Sequence, residues 1–260
     1  MAELIVKRDG AIATVLFSNL PRMNAVTYEM WTAVPQTLAE LDADPAIRVI
    51  VIAGDGDKAF ISGADISQFE KLRGTADAQA VYNAAVEKAY VAPMRCSKPV
   101  IARIRRICIG GGLGFAAACD LRFASDDTVF RMPAARLGLG YSATGIKRFM
   151  NVMGAANTAD IFYSARKFYA EEALHMGFVN RVYPAAELER ETAAYCQLIA
   201  ENAPLTVAAS KFAVQQGIKD AADRDMATAQ RMVETCFASA DHKEGRKAFM
   251  EKRTPVFVGK

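Results

Sequence analysis

Histidine is nearly absent from this chain. The two present, His175 inside a helical segment and His242 among charges near the C-terminus, make no metal site. Ser142 has no histidine–aspartate pair near it in sequence, so a serine nucleophile finds no support. Cysteine is sparse: Cys96, Cys108, Cys119, Cys196 and Cys236 are odd in number, scattered, and form no C-x-x-C pair. Four lie in apolar segments, so buried free thiols in a reducing compartment are expected rather than a disulfide frame. Charge of one sign is also lacking, since 32 basic against 29 acidic residues leave a formal +3. With no lysine-rich run and no aromatic–basic interleaving, nucleic acid is not an expected partner. No apolar run reaches membrane-spanning length without charge, and residues 1–8 enter strand-like sequence directly rather than a signal peptide. A cytoplasmic protein with no membrane partner is expected. Neither G-x-x-x-x-G-K-[ST] nor G-x-G-x-x-G occurs, which removes the phosphate loop and the dinucleotide fingerprint.

The residues that are present describe an ordinary globular chain, 52% hydrophobic and 23% charged over 260 positions, long enough for one large domain or one domain with a helical appendage. Asp9-Gly10 between Glu3–Arg8 and Ile12–Phe17 reads as a hairpin. Thr27 caps a helix running to about Asp42, and Asp44-Pro45 breaks it. Val49–Ile52, Pro99–Ile104, Leu121–Ala124 and Val179–Val182 read as strands, and residues 76–95 as a helix. Thr158–Ser164, Ala170–Met176, Ala186–Ala200, Pro204–Gln216 and Met226–Phe249 carry helical apolar spacing. Strands and helices alternate first and helices dominate last. The expected fold class is therefore α/β, with a core over residues 1–200 and a helical region over 201–260.

Two glycine loops carry the chemistry. Phe60-Ile61-Ser62-Gly63-Ala64-Asp65-Ile66 follows a strand and turn, and Gly110-Gly111-Gly112 follows the strand at Pro99–Ile104. Each can present a backbone N–H at a helix start, and two such donors meeting at one point would form an oxyanion hole suited to a thioester enolate.

With these loops the chain resembles the crotonase (enoyl-CoA hydratase/isomerase) family over almost its whole length. Matching stretches are Asn19–Ala25, Ala59–Ile66, Lys98–Ala102, Gly110–Gly112, Cys119-Asp120, Ala170–Ala173, Met176–Asn180 and Phe249–Arg253, in the family's order and spacing. The resemblance implies a spiral of ββα units, a C-terminal helical trimerisation region, a homotrimer or homohexamer, and lyase or isomerase chemistry of fatty acid metabolism. It also implies a CoA-thioester substrate with no bound cofactor. By carry-over, the N–H groups of Ala64 and Gly111 are the oxyanion donors. Met23, Ala25, Ser62, Asp65 and Ile66 line the adenine and pantetheine path, and Ile109, Gly110, Pro133 and Ala134 are further substrate-binding positions. Lys252, with Arg253, is a candidate for the CoA phosphates, from a neighbouring subunit or as a solvated terminal charge. Loops around residues 66–95 and 137–150 would shape the acyl pocket.

The departures matter as much. Hydratases of the family carry one glutamate three residues after the oxyanion glycine and another after the proline of the next active-site segment. Here those positions are Gly114 and Ala134, which cannot transfer protons. Enoyl-CoA hydration is therefore not expected. Tyr141 is the candidate replacement, resembling a tyrosine of the methylmalonyl-CoA decarboxylase branch, although that branch has histidine where this chain has Ala64. A tyrosine in a glycine-rich loop can equally be a pocket wall. The reading is an acyl-CoA-processing enzyme that stabilises a thioester enolate, with Tyr141 or a substrate-bound water handling any proton. A decarboxylase- or hydrolase-like enzyme, or a non-catalytic acyl-CoA-binding subunit, are the alternatives. Arg105-Arg106 stands where the family turns on glycine, either straining the turn or solvated at a strand end. Arg136 is read as a contact to an acidic acyl group or as a surface charge, and Asp120 as a structural hydrogen-bonding group.

Overall fold

The computed structural model describes residues 2–68 and 74–260; residues 69–73, part of the stretch expected to shape the acyl pocket, lie outside them. Two sheets wind through the first two thirds of the chain. The longer contains β1 (Glu3–Asp9), β2 (Ile12–Ser18), β3 (Val49–Gly54), β4 (Val100–Ile104), β6 (Leu121–Ser125) and β9 (Arg181–Tyr183), paired in that order. Only the β1–β2 hairpin is antiparallel, and every later pairing is parallel. The smaller sheet pairs β5 (Ile107–Ile109), β7 (Val129–Arg131) and β8 (Lys167–Tyr169). Two successive turns of the chain each add one strand to the long sheet, one to the short sheet, and then a helix. Thus β4 and β5 lead to α3 (Gly111–Ala118), and β6 and β7 lead to α4 (Ala143–Ser164). This is the ββα spiral.

Period-two alternation explains the layering. Ile50 and Ile52 of β3 face the main core with Phe17, Phe60, Phe115 and Trp31, whereas Val49 and Val51 face a second cluster under α6 (Leu188–Ala200). Against the main core lie α1 (Tyr28–Ala43) and α2 (Ala76–Arg95). The expected cap holds: the Thr27 hydroxyl accepts from Met30 N–H. Beyond α5 (Ala170–His175) and α6, the chain continues through α7 (Pro204–Gly217), α8 (Met226–Ala238) and α9 (Ala240–Glu251). The single long segment expected over Met226–Phe249 is thus two helices. Ser239 breaks them, and its hydroxyl caps α9 by accepting from His242 N–H. Likewise α4 begins at Ala143 and not at Thr158, with a non-helical Gly154 inside it. No helix among the described residues is long and apolar enough to cross a membrane.

Cys96, Cys108, Cys119 and Cys196 are buried free thiols and Cys236 is half-buried. Burial pushes Cys96, Cys119 and Cys196 from an ordinary 9.0 up to about 12. Between those values only the unfolded chain ionises them, so the folded state binds more protons and stability falls as pH rises. The slope is about 1.4 kcal/mol per pH unit for each thiol. Urea midpoints should decline steadily above about pH 9, and less steeply once the three cysteines are replaced by alanine; an identical slope in that variant would rule the thiols out as the cause.

Candidate active site

Register brings the two glycine loops together. After β3 the chain returns so that Ile61 pairs parallel with Cys108 of β5. Ile61 N–H donates to Ile107 O at 3.2 Å and Ile109 N–H to Ile61 O at 3.0 Å. Ala64 and Gly111 each stand three residues beyond this pair, so the loop tips meet: a β-carbon built on Gly111 would lie 3.6 Å from Ala64 N. Ala64 bridges Val26, with Val26 N–H donating to Gly63 O and Asp65 N–H to Val26 O, both at 2.8 Å. In such a parallel bridge the polar groups of Ala64 face away from Val26. The Gly111 N–H is a first-turn donor of α3, with no carbonyl four residues back. Among the described residues neither N–H has an acceptor. The loops can be shaped this way because Gly63 (φ 126°) and Gly110 (φ 54°) adopt backbone angles that side chains disfavour.

Around the first loop, Ser62 N–H donates to Met23 O at 3.2 Å and its hydroxyl to Arg22 O at 3.0 Å. Met23 is half-exposed with φ 49°, Ala25 is buried, and Ile66 is 73% exposed. Asp65 is buried and takes Arg22 Nη1 at 2.6 Å together with the Ser67 N–H and hydroxyl. Burial raises its carboxyl, but the Ser67 hydrogen bonds and the Arg22 guanidinium outweigh this and hold it below the usual carboxylate range. It is a loop latch rather than a proton-transfer group. On the second loop Ile109 ends β5, and Pro133 lies 3.8 Å from where a β-carbon on Gly110 would be. Ala134 is buried at the head of a short 3-10 turn, and Arg136 in that turn is exposed. Lys252 is not among this group: it closes α9 in a left-handed cap, beside an Arg253 whose guanidinium pairs with Glu244 and Glu251. Arg106 does take the left-handed backbone (φ 55°) suited to glycine, and its side chain pairs with Asp127 at 3.2 Å.

The decisive geometry surrounds Gly114, one turn into α3. A β-carbon there would lie 2.8 Å from the hydroxyl oxygens of both Tyr141 and Tyr90. Two phenols therefore fill the space into which a side chain at 114 would extend. Tyr90, on α2, donates to Gly111 O at 3.1 Å and packs edge-on against Trp31 with ring centroids 5.5 Å apart. Tyr141, in the loop before α4, packs against Phe162 and Phe149 at 5.0 and 6.4 Å. The two hydroxyls are neighbours there, each influencing the other's ionisation. Burial pushes Tyr90 well above the ordinary 10.0, with the neighbouring Tyr141 adding to the rise. Burial also raises Tyr141, opposed by the neighbouring Tyr90 hydroxyl and by the Arg148 cation. Both phenols are thus protonated at neutral pH and can act as acids or donors, not as bases. Tyr90 escaped the sequence reading because a tyrosine at an inward position of a regular helix looks like core.

An α/β spiral thus brings two glycine loops together at one point, beside two phenols. The chain belongs to the enoyl-CoA hydratase/isomerase family, whose profile matches residues 7–260. It is 32% identical over 259 residues to a crotonyl-CoA hydratase of Syntrophomonas wolfei, covering 99% of this chain and 98% of that one. It is 27% identical to the peroxisomal Delta(3,5)-Delta(2,4)-dienoyl-CoA isomerase of Arabidopsis thaliana, covering 98% and 96% of the two chains. A crystal structure of an enoyl-CoA hydratase/carnithine racemase from Magnetospirillum magneticum superimposes with a TM-score of 0.93 at 32% identity, covering 100% of this chain and 97% of that one.

Proposed function

We propose that this acyl-CoA enzyme stabilises a thioester enolate on the N–H groups of Ala64 and Gly111 and uses the Tyr141 phenol, in place of a carboxylate pair, to supply the proton. The observation that supports this is the pair of phenolic oxygens, each 2.8 Å from the β-carbon position of Gly114. With glycine at 114 and alanine at 134, the two positions that hold acid and base in a hydratase have neither. A decarboxylase-like reaction needs no base. The bond from the α-carbon to the departing carboxylate breaks, its electron pair forms the enolate held by the two N–H groups, and a proton from Tyr141 restores the α C–H bond. A hydrolase-like reaction is the second reading, with a substrate-bound water in place of a protein base.

Met23, Ala25, Ser62, Asp65 and Ile66 are assigned to the CoA path, and Ile109, Gly110, Pro133 and Ala134 to the acyl border. Lys252 is assigned to the CoA phosphates of a neighbouring subunit in a trimer or hexamer. Incubation with crotonyl-CoA and a panel of malonyl-type CoA esters, followed by mass spectrometry, tests the reaction. Loss of CO2 from a malonyl-type ester is expected. Rapid hydration of crotonyl-CoA defeats the proposal, and tight binding without turnover of any ester replaces it with a non-catalytic acyl-CoA-binding subunit.

A further inference from the structure

Behind the phenol pair stands a buried cation. Arg148, on α4, is 8% exposed, and its Cζ lies 5.2 Å from the centroid of the Tyr90 ring. One terminal nitrogen, Nη2, bonds Glu87 Oε1 at 2.7 Å, while Nε and Nη1 are buried with no hydrogen-bond partner among the described residues. Leaving such donors unpaired is costly, and a guanidinium packed on an aromatic face recovers only part of that cost. The groups that face the two phenols are Tyr82 and Glu87 from α2 and Arg148 from α4. Glu87 is itself tied to Arg148 and 40% exposed. The buried charge nearest the pair is therefore positive.

We infer that Tyr90 is a positioning residue which, with Arg148, holds Tyr141 as the acid and stabilises the phenolate left when Tyr141 gives up its proton. The inference rests on Tyr141 acting as proposed above. In the resting site the Tyr90 hydroxyl donates to Gly111 O, which ties α2 to the first turn of α3. When the Tyr141 O–H bond breaks and the α-carbon takes the proton, the enolate electron pair forms the new C–H bond and the thioester C=O is restored. Negative charge then rests on the Tyr141 oxygen. Tyr90, whose hydroxyl borders the same point as that oxygen, turns its proton onto it from Gly111 O, and the Arg148 field falls on the same atom. Water returns a proton to Tyr141 as product leaves. A merely structural Tyr90, tying α2 to α3 through Gly111 O, would leave the ionisation of Tyr141 unmoved.

The test is Tyr90→Phe, which keeps the ring between Trp31 and Arg148, with Arg148→Lys and Arg148→Met beside it and Tyr141→Phe as reference. On the ester turned over by the wild-type enzyme, Tyr90→Phe is expected to lower kcat by about 10- to 100-fold with KM changed less than about twofold. Arg148→Lys, which keeps the charge, should retain several times more kcat than Arg148→Met, with thermal midpoints measured alongside. Phenolate difference absorbance should show Tyr141 ionising at higher pH in Tyr90→Phe and Arg148→Met, since both changes remove a group that favours the anion. If Tyr141→Phe is inactive while Tyr90→Phe keeps kcat within about twofold of wild type, Tyr90 is packing only and the inference falls. If Tyr141→Phe turns over like wild type, the reading of Tyr141 as the acid fails instead.

Discussion

Gly114→Glu is expected to lose stability and gain no hydratase activity. Its β-carbon would lie 2.8 Å from both phenolic oxygens and 3.0 Å from Tyr90 Cζ, all closer than packed atoms approach. A hydroxyl at the end of a free side chain could move aside, but neither ring is free. Tyr90 is buried between Trp31 and Arg148, and Tyr141 is held by Phe149 and Phe162. Overpacking of this kind costs about 1–3 kcal/mol, and the extra carboxylate would be placed among buried phenols with no partner assigned to it. The same close contact predicts that Gly114→Ala alone is destabilising, where alanine in an open helix would stabilise. Thermal midpoints should fall by about 3–10 °C for either variant. Hydration of crotonyl-CoA should appear, if at all, only after Tyr90 and Tyr141 are both cut back to alanine. A single Gly114→Glu protein that is fully stable and hydrates crotonyl-CoA would show that the phenols do not exclude the carboxylate.

The second large effect lies at Lys211, in α7. Its buried ammonium donates to Pro93 O at 2.8 Å, Lys98 O at 2.8 Å and Asp120 Oδ2 at 2.7 Å. One side chain thus joins the C-terminal helices to the end of α2, to the approach to β4 and to the turn between α3 and β6. Asp120 also accepts from Val100 N–H at 2.7 Å, which agrees with the structural role read for it from sequence. Lys211→Met strands two carbonyls and a carboxylate that is only 20% exposed. Removing one member of such a pair costs about 3–5 kcal/mol, and the residual exposure of Asp120 places the expectation near the lower figure. Urea denaturation should show the loss as a lower midpoint. Asp120→Asn, which keeps a hydrogen-bond acceptor, should cost distinctly less. Equal midpoints for Lys211→Met and wild type would mean that the latch contributes nothing.

Local chemistry made much of the fold legible. The Asp9-Gly10 hairpin, the Thr27 cap, the helix at residues 76–95 and the parallel strands each carry their own signal within a few residues. What escaped was short or two-sided. β5, β7 and β8 are three residues each, too brief for any periodicity to register, yet β5 and β7 lead directly into Gly110 and Pro133. Ser239 divides one apolar period into two helices because a hydroxyl that caps a helix also interrupts the one before it.

The chain by itself determined the two glycine loops, and with them the pair of backbone donors, because positive-φ turns and a helix start depend on residues adjacent in sequence. It also determined that glycine and alanine stand at positions 114 and 134. Only the tertiary structure decided what fills that space. Tyr90, Tyr141, Arg148 and Gly114 come from two other helices, a loop and α3 itself, and no spacing along the chain links them. Their meeting is set by how α2 and α4 pack against α3, a long-range result of burying the main core. From sequence Gly114 left a gap; in the folded protein two phenols occupy it.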